Sequence, residues 1–196
     1  MNLQEAITKR NSVREYERKI IPKKILIELI KDASKAPSAK NEQNYKFYIV
    51  NSKKKRDIVA KYLKSTLKLM NKQINKLEEN LKKLLINFYS DLGGAQTIIF
   101  VYRQKIKNSP EYQFPNDLAG ISCAIENLML SAVSRGLGTC WIGSFKEPQI
   151  EKNLNKLLGT KKDEELIASV LIGYPKKGYK PLIRKKKELN EIIKFV

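Results

Sequence analysis

ISCAIENLMLSAVSRGLGTCWIGS, residues 121–144, joins a long apolar run to a short one through two glycines. ISCAIENLMLSAV is apolar on nearly every side at 3.6 residues per turn, the pattern of a helix buried on several faces rather than one. The helix is expected from about Asp117 to Arg135, with Gly136 placed as its C-terminal cap. TCWIGS, residues 139–144, then reads as a strand. A helix of this kind belongs at the centre of a fold, so the neighbouring segments are read for what surrounds it.

On the C-terminal side a helix is expected to begin at Pro148 and end before Gly159, and LIASVLIGY, residues 166–174, is another strand. The tail ends in IIKFV, which has no partner in its own vicinity and is expected to complete a sheet edge in a second copy of the chain. On the N-terminal side TIIFVY, residues 97–102, and KFYIV, residues 46–50, read as strands. Between them Leu63, Leu67, Met70, Ile74, Leu77, Leu81, Leu84 and Phe88 are spaced alternately four and three apart, a heptad seam. It marks residues 53–91 as a helical, insertion-like segment: either a long helix or helical hairpin lying on the body, or a lid or a contact with another subunit.

Pro22 opens a helix with Ile25, Leu26, Leu29, Ile30 and Ala33 on its buried side, and Pro37 closes it. Before it, Leu3, Ala6, Ile7 and Arg10 share one face of a first helix. Helices and strands intermingle without a regular βαβ rhythm, and no GxGxxG follows a strand. The expectation is therefore one α+β domain over residues 1–196, a three-layer α/β/α sandwich around a mixed, mainly antiparallel sheet.

The chain has 196 residues, 42% of them hydrophobic, enough for one substantial core. No segment has the roughly 20 continuous apolar residues of a membrane helix, and MNLQEAITKR lacks a signal-peptide apolar region, so cytoplasmic residence without membrane contact is expected. Histidine is absent, which excludes Ser-His-Asp and Cys-His catalysis and His-ligated metals. Cys123 and Cys140 are isolated, without CxxC spacing, and both are expected to be buried thiols. Chemistry on such a chain points to a cofactor. The net charge of +19 is spread along the whole length, without a nucleic-acid module, so a basic nucleic-acid-binding protein is the competing reading rather than the preferred one.

Lysine is the default cation here. Of 39 basic residues seven are arginine, and Arg10, Arg14 and Arg18 fall within nine positions around RNSVREY. Arginine offers a planar fork of donors suited to a phosphate or carboxylate in fixed geometry, so the stretch reads as an anion clamp.

RNSVREY near the N-terminus, APSAKNEQN at residues 36–44, NLMLSAVSRGLGTCWIGSF, and GYP followed by a tail arginine together resemble the FMN-dependent nitroreductase family. The resemblance implies an intertwined homodimer with C-terminal strand exchange and FMN held between subunits. It implies FMN contacts from Arg10, Asn11, Ser12 and Arg14, with Arg184 meeting the phosphate. Pro37, Ser38 and Asn41 would come from the partner subunit, and Trp141, Ile142, Gly143 and Ser144 would edge the ring, with a backbone N–H near Gly143 directed at flavin N5. Gln43 is followed here by Asn44-Tyr45 where the family often has Pro-Trp. The implied activity is two half-reactions: NADH or NADPH reduces the flavin at N5, then an oxidised acceptor such as a nitroaromatic or quinone is reduced. No catalytic side chain and no metal are required. Within the family the alternatives are reductive dehalogenation and flavin-fragmenting oxygen chemistry.

Overall fold

The computed structural model describes residues 1–108, 110–182 and 185–196. Its order is α1 (Leu3–Lys9), α2 (Lys23–Ala33), β1 (Tyr45–Val50), α3 (Lys53–Ser65), α4 (Asn71–Ile74), α5 (Glu79–Asp91), β2 (Thr97–Gln104), α6 (Gln113–Ser134), β3 (Gly138–Ile142), α7 (Pro148–Leu158) and β4 (Glu164–Gly173). The fold is α+β. The sheet has the order β1-β2-β4-β3, and every neighbouring pair is antiparallel. A single parallel bridge, Ser12 to Thr139, extends it at the β3 edge.

Alternation along β2 produces the two faces. Ile98, Phe100 and Tyr102 enter one core with residues of α3, α5 and α7, including Leu63, Phe88 and Leu154. Ile99 and Val101 enter the other with Leu26 and Leu29 of α2 and Ile121, Ile125 and Leu128 of α6. Helices therefore cover both sides of the sheet, which gives three layers. A strand buried on both faces needs an apolar run rather than alternation, and TIIFVY is such a run.

Several boundaries move. α6 begins at Gln113 rather than near Asp117, and Pro115 is accommodated because the first turn's N–H groups have no intrahelical partner. Gly136 ends that helix region with φ 74°. TCWIGS is a strand only to Ile142, after which Ser144–Lys146 turns as a 3-10 helix. The heptad seam is not one helix: 3-10 turn Thr66–Lys68 and short α4 separate α3 from α5, which pack together as a hairpin. Cys140 is buried as expected, whereas Cys123 is exposed, because the α6 face that carries it has no cover within this chain. On α1 only Ala6 is buried; Leu3 and Ile7 lie open. Among the described residues IIKFV pairs with no strand, and Ile192, Ile193, Phe195 and Val196 are all exposed.

Candidate functional site

RNSVREY leaves α1 in extended form and runs along the β3 edge. The Val13 N–H donates to the Thr139 carbonyl at 2.9 Å, and the Tyr16 hydroxyl turns back onto the Val13 carbonyl at 2.7 Å. Burial is the main reason that the Tyr16 phenol is pushed well above its ordinary value, so it is a neutral donor. The fit relies on glycines on the strands: a Cβ at Gly138 would come 2.6 Å from Val13 Cγ2, and one at Gly173 would come 2.8 Å from the Tyr16 ring. Val13 and Tyr16 thus anchor the segment inward, and Arg14 and the residues before Val13 face a cavity.

That cavity, of about 220 Å³, is lined by Arg10, Asn11, Ser12, Arg14, Leu182 and Lys186. The structure therefore brings together the four N-terminal residues singled out in the sequence. Leu182 and Lys186 join them from the tail; Arg184 lies outside the described residues. The Ser12 carbonyl is fixed twice, by Arg14 Nη1 at 3.1 Å and by the Tyr179 hydroxyl at 2.9 Å. Tyr179 carries no sequence signal, because it reaches Ser12 only through the fold.

The electrostatics separate Arg14 from the other described arginines. Arg10 pairs with Glu126 at 3.4 Å, Arg18 with Asp91, Arg56 with Asp57 and Asp91, Arg103 with Asp117, and Arg135 with Asp32. Among the described residues Arg14 meets no carboxylate, although it is partly buried. Beside it, Asn11 Oδ1 is buried without a hydrogen-bond partner, while its Nδ2 donates to the Lys9 carbonyl at 2.9 Å. A sheltered cation without an anion and a buried acceptor without a donor are both costly unless a ligand satisfies them.

At the end of β3, Trp141 is 41% exposed and Ile142 is buried. A Cβ added at Gly143 would meet nothing within 4 Å, and its φ is −91°. Neither backbone conformation nor packing within the described chain therefore demands glycine there. Ser144 Oγ lies 3.2 Å from the Tyr89 hydroxyl of α5, so the helical hairpin reaches this edge.

Pro37 and Ser38 line a different, shallower cavity against Asn116, Ala119, Gly120 and Cys123 of α6. It does not merge with the Arg10–Arg14 cavity in one chain. Asn41 sits with Lys40 and Gln43 in left-handed backbone, and Ser38 Oγ accepts from the Gln43 N–H at 3.1 Å. The loop is pinned by a buried polar cluster that spacing did not reveal. Asp117 accepts from Arg103 Nε at 2.6 Å, from Gln113 Nε2 at 2.8 Å and from Asn44 Nδ2 at 3.0 Å. Burial pushes its carboxyl up, but those three donors outweigh burial and hold it below its ordinary value.

Known proteins resemble this chain over most of its length. A family model described as the nitroreductase family matches residues 7–174. A protein of Archaeoglobus fulgidus, named as a candidate NADH dehydrogenase/NAD(P)H nitroreductase, is 28% identical over 170 residues, covering 85% of this chain and 82% of that protein. Iodotyrosine deiodinase 1 of Rattus norvegicus is 25% identical over 199 residues, covering 96% of this chain and 67% of that protein. The crystal structure of a nitroreductase with bound FMN from Bacteroides fragilis aligns with a TM-score of 0.73 at 25% identity, covering 100% of this chain and 99% of that one.

Proposed function

The chain belongs to the nitroreductase family, and from that membership we propose an FMN-dependent oxidoreductase that passes hydride from NADH or NADPH to an oxidised acceptor such as a nitroaromatic or a quinone. The single observation that carries the cofactor assignment is Arg14, without a carboxylate among the described residues, facing a cavity beside the unpartnered Asn11 Oδ1.

When bound, FMN supplies a hydride acceptor and donor at N5 of its ring. The chain's own residues bind and orient it. Arg10 and Arg14 offer forked donors to the phosphate, ribityl chain and pyrimidine edge, and Asn11 Oδ1 accepts from a ring N–H. Arg184, by its place in the tail, is assigned to the phosphate. Gly143 lets the ring lie against the backbone, and a backbone N–H there stabilises negative charge as it develops. Trp141, Ile142 and Ser144 form the wall beside it.

A cavity of about 220 Å³ falls below the roughly 300–1,000 Å³ usual for a cofactor site, which supports completion by a second copy. Pro37, Ser38 and Asn41 of that copy are assigned to the far side of the ring. The open faces fit this assembly: Leu3 and Ile7 on α1, the uncovered side of α6, and the free edge of β1. An apolar groove of about 350 Å³ along that edge, lined by Ile27, Ile30, Phe47 and Ile49, is the place we assign to the partner's IIKFV.

The matched deiodinase supports reductive dehalogenation as the second reading of the acceptor. The test is direct. Purified protein is expected to be yellow, to quench added FMN fluorescence in preference to FAD, and to oxidise NADH or NADPH faster with a nitroaromatic than with a halotyrosine. Colourless protein that leaves FMN fluorescence unchanged contradicts the assignment, and a faster halotyrosine turnover selects the second reading.

A further inference from the structure

Leu92, Gly93 and Gly94, at the end of the helical hairpin, occupy the left-handed region consecutively, with φ of 55°, 60° and 90°. That conformation is disfavoured for a residue with a Cβ, and Leu92 is fully buried in it. The turn lies flush against the proposed clamp. A Cβ on Gly93 would come 2.1 Å from the Arg14 carbonyl oxygen, and one on Gly94 would come 2.7 Å from that of Tyr16. The Tyr16 N–H donates to the Gly93 carbonyl at 2.8 Å. The backbone that carries Arg14 thus rests on the turn, and Arg14 goes where the turn goes.

One side chain brackets that turn. Arg56, from the first turn of α3, is 4% exposed. Its Nε donates to the Ala95 carbonyl at 3.0 Å, its Nη2 donates to the Asp91 carbonyl, and its Nη1 meets the Asp91 carboxylate. The same carboxylate takes Arg18, four residues beyond Arg14 on the clamp segment. Two arginines and Asp91 therefore tie the base of the hairpin to the clamp.

We propose that Arg56, acting with Asp91, is a positioning residue for the cofactor: it fixes the left-handed turn that sets the Arg14 backbone, so the hairpin base and the FMN site form one mechanical unit. The inference rests on the assignment of Arg14 to FMN. A lysine at position 56 keeps the charge but cannot span the two carbonyls with a planar fork.

The experiment is FMN titration by fluorescence quenching, with thermal melting, on wild type, Arg56→Lys, Arg14→Lys and the double variant. Leu154→Ala serves as a control destabilised in the same core but on α7, outside the turn and the hairpin. Arg56→Lys is expected to weaken FMN binding on the order of tenfold, with most of that loss absent in the Arg14→Lys background, because coupled residues are non-additive. Leu154→Ala is expected to lower the melting temperature at least as much with FMN affinity unchanged. If Arg56→Lys does not fold, Asp91→Asn, at a more exposed position, carries the same comparison. Wild-type affinity in the position-56 variant, or losses that simply multiply, overturns the inference while leaving the clamp intact. Unchanged affinity in Arg14→Lys overturns both.

Discussion

Arg14, on the segment beside the β3 edge, and Arg103, near the end of β2, are both sheltered arginines, and they differ in what they face. Arg103 is 6% exposed and saturated: Asp117 lies at 2.6 Å, Glu165 at 3.6 Å, and the Phe114 ring centroid at 5.0 Å. Arg14 Nη1 donates to the carbonyl of its near neighbour Ser12 at 3.1 Å, and among the described residues Arg14 meets no carboxylate. A buried guanidinium with its own carboxylate is complete and holds structure together; one that meets no carboxylate among the described residues suits an external anion, the role proposed for Arg14. The pair shows why arginine count says little about function until each partner is known.

Breaking the saturated arginine gives the largest expected effect. Arg103→Ala leaves the buried Asp117 with the Gln113 and Asn44 amides but without its cation, so chemical denaturation should show a loss of about 3–5 kcal/mol in unfolding free energy. The sign with pH follows from the depressed carboxyl. Asp117's contribution is complete above its unfolded value, about 3.9, and is lost as pH falls through the lower folded value. Wild type should therefore lose stability more steeply than Arg103→Ala when acidified from neutrality, as read from urea midpoints at successive pH values.

Gly143 sharpens the contrast from the other side, since the described chain places nothing against it. Gly143→Ala should weaken FMN binding by roughly 1–3 kcal/mol, the cost of an added methyl in filled space. Its melting temperature without FMN should not move. A variant that melts early yet binds normally would make Gly143 a folding residue instead. The smallest effect belongs to Lys176→Ala: its pair with Glu15 at 3.2 Å is exposed, so it should change FMN affinity by no more than a few tenths of a kcal/mol.

Local rules carried some elements well. The apolar α6 run, its Gly136 cap and the doubly buried β2 are each fixed by neighbours within a few turns of chain. RNSVREY stands out because arginine is scarce in a lysine-rich chain, and four of its residues do line one cavity; its role as a clamp is the proposal. Spacing alone did not locate the reversals inside the heptad run, because a hairpin and a long helix bury the same periodic stripe. Nor did it find the cluster of Asn44, Arg103, Gln113 and Asp117, or the bracket from Arg56 to Ala95. These partners are set by strand pairing and layer packing, so nothing in their spacing marks them. Cys123 was misjudged for a related reason: an apolar helix implies cover, but does not say whether this chain or another supplies it.

The most direct measurement is the FMN dissociation constant of Arg14→Lys beside wild type, with Lys176→Ala as the control. Lysine keeps the charge and loses the planar fork, so binding should weaken by about 1–3 kcal/mol while unfolding free energy stays close to wild type. Unchanged FMN affinity in Arg14→Lys would contradict the view that this arginine is held open for the cofactor.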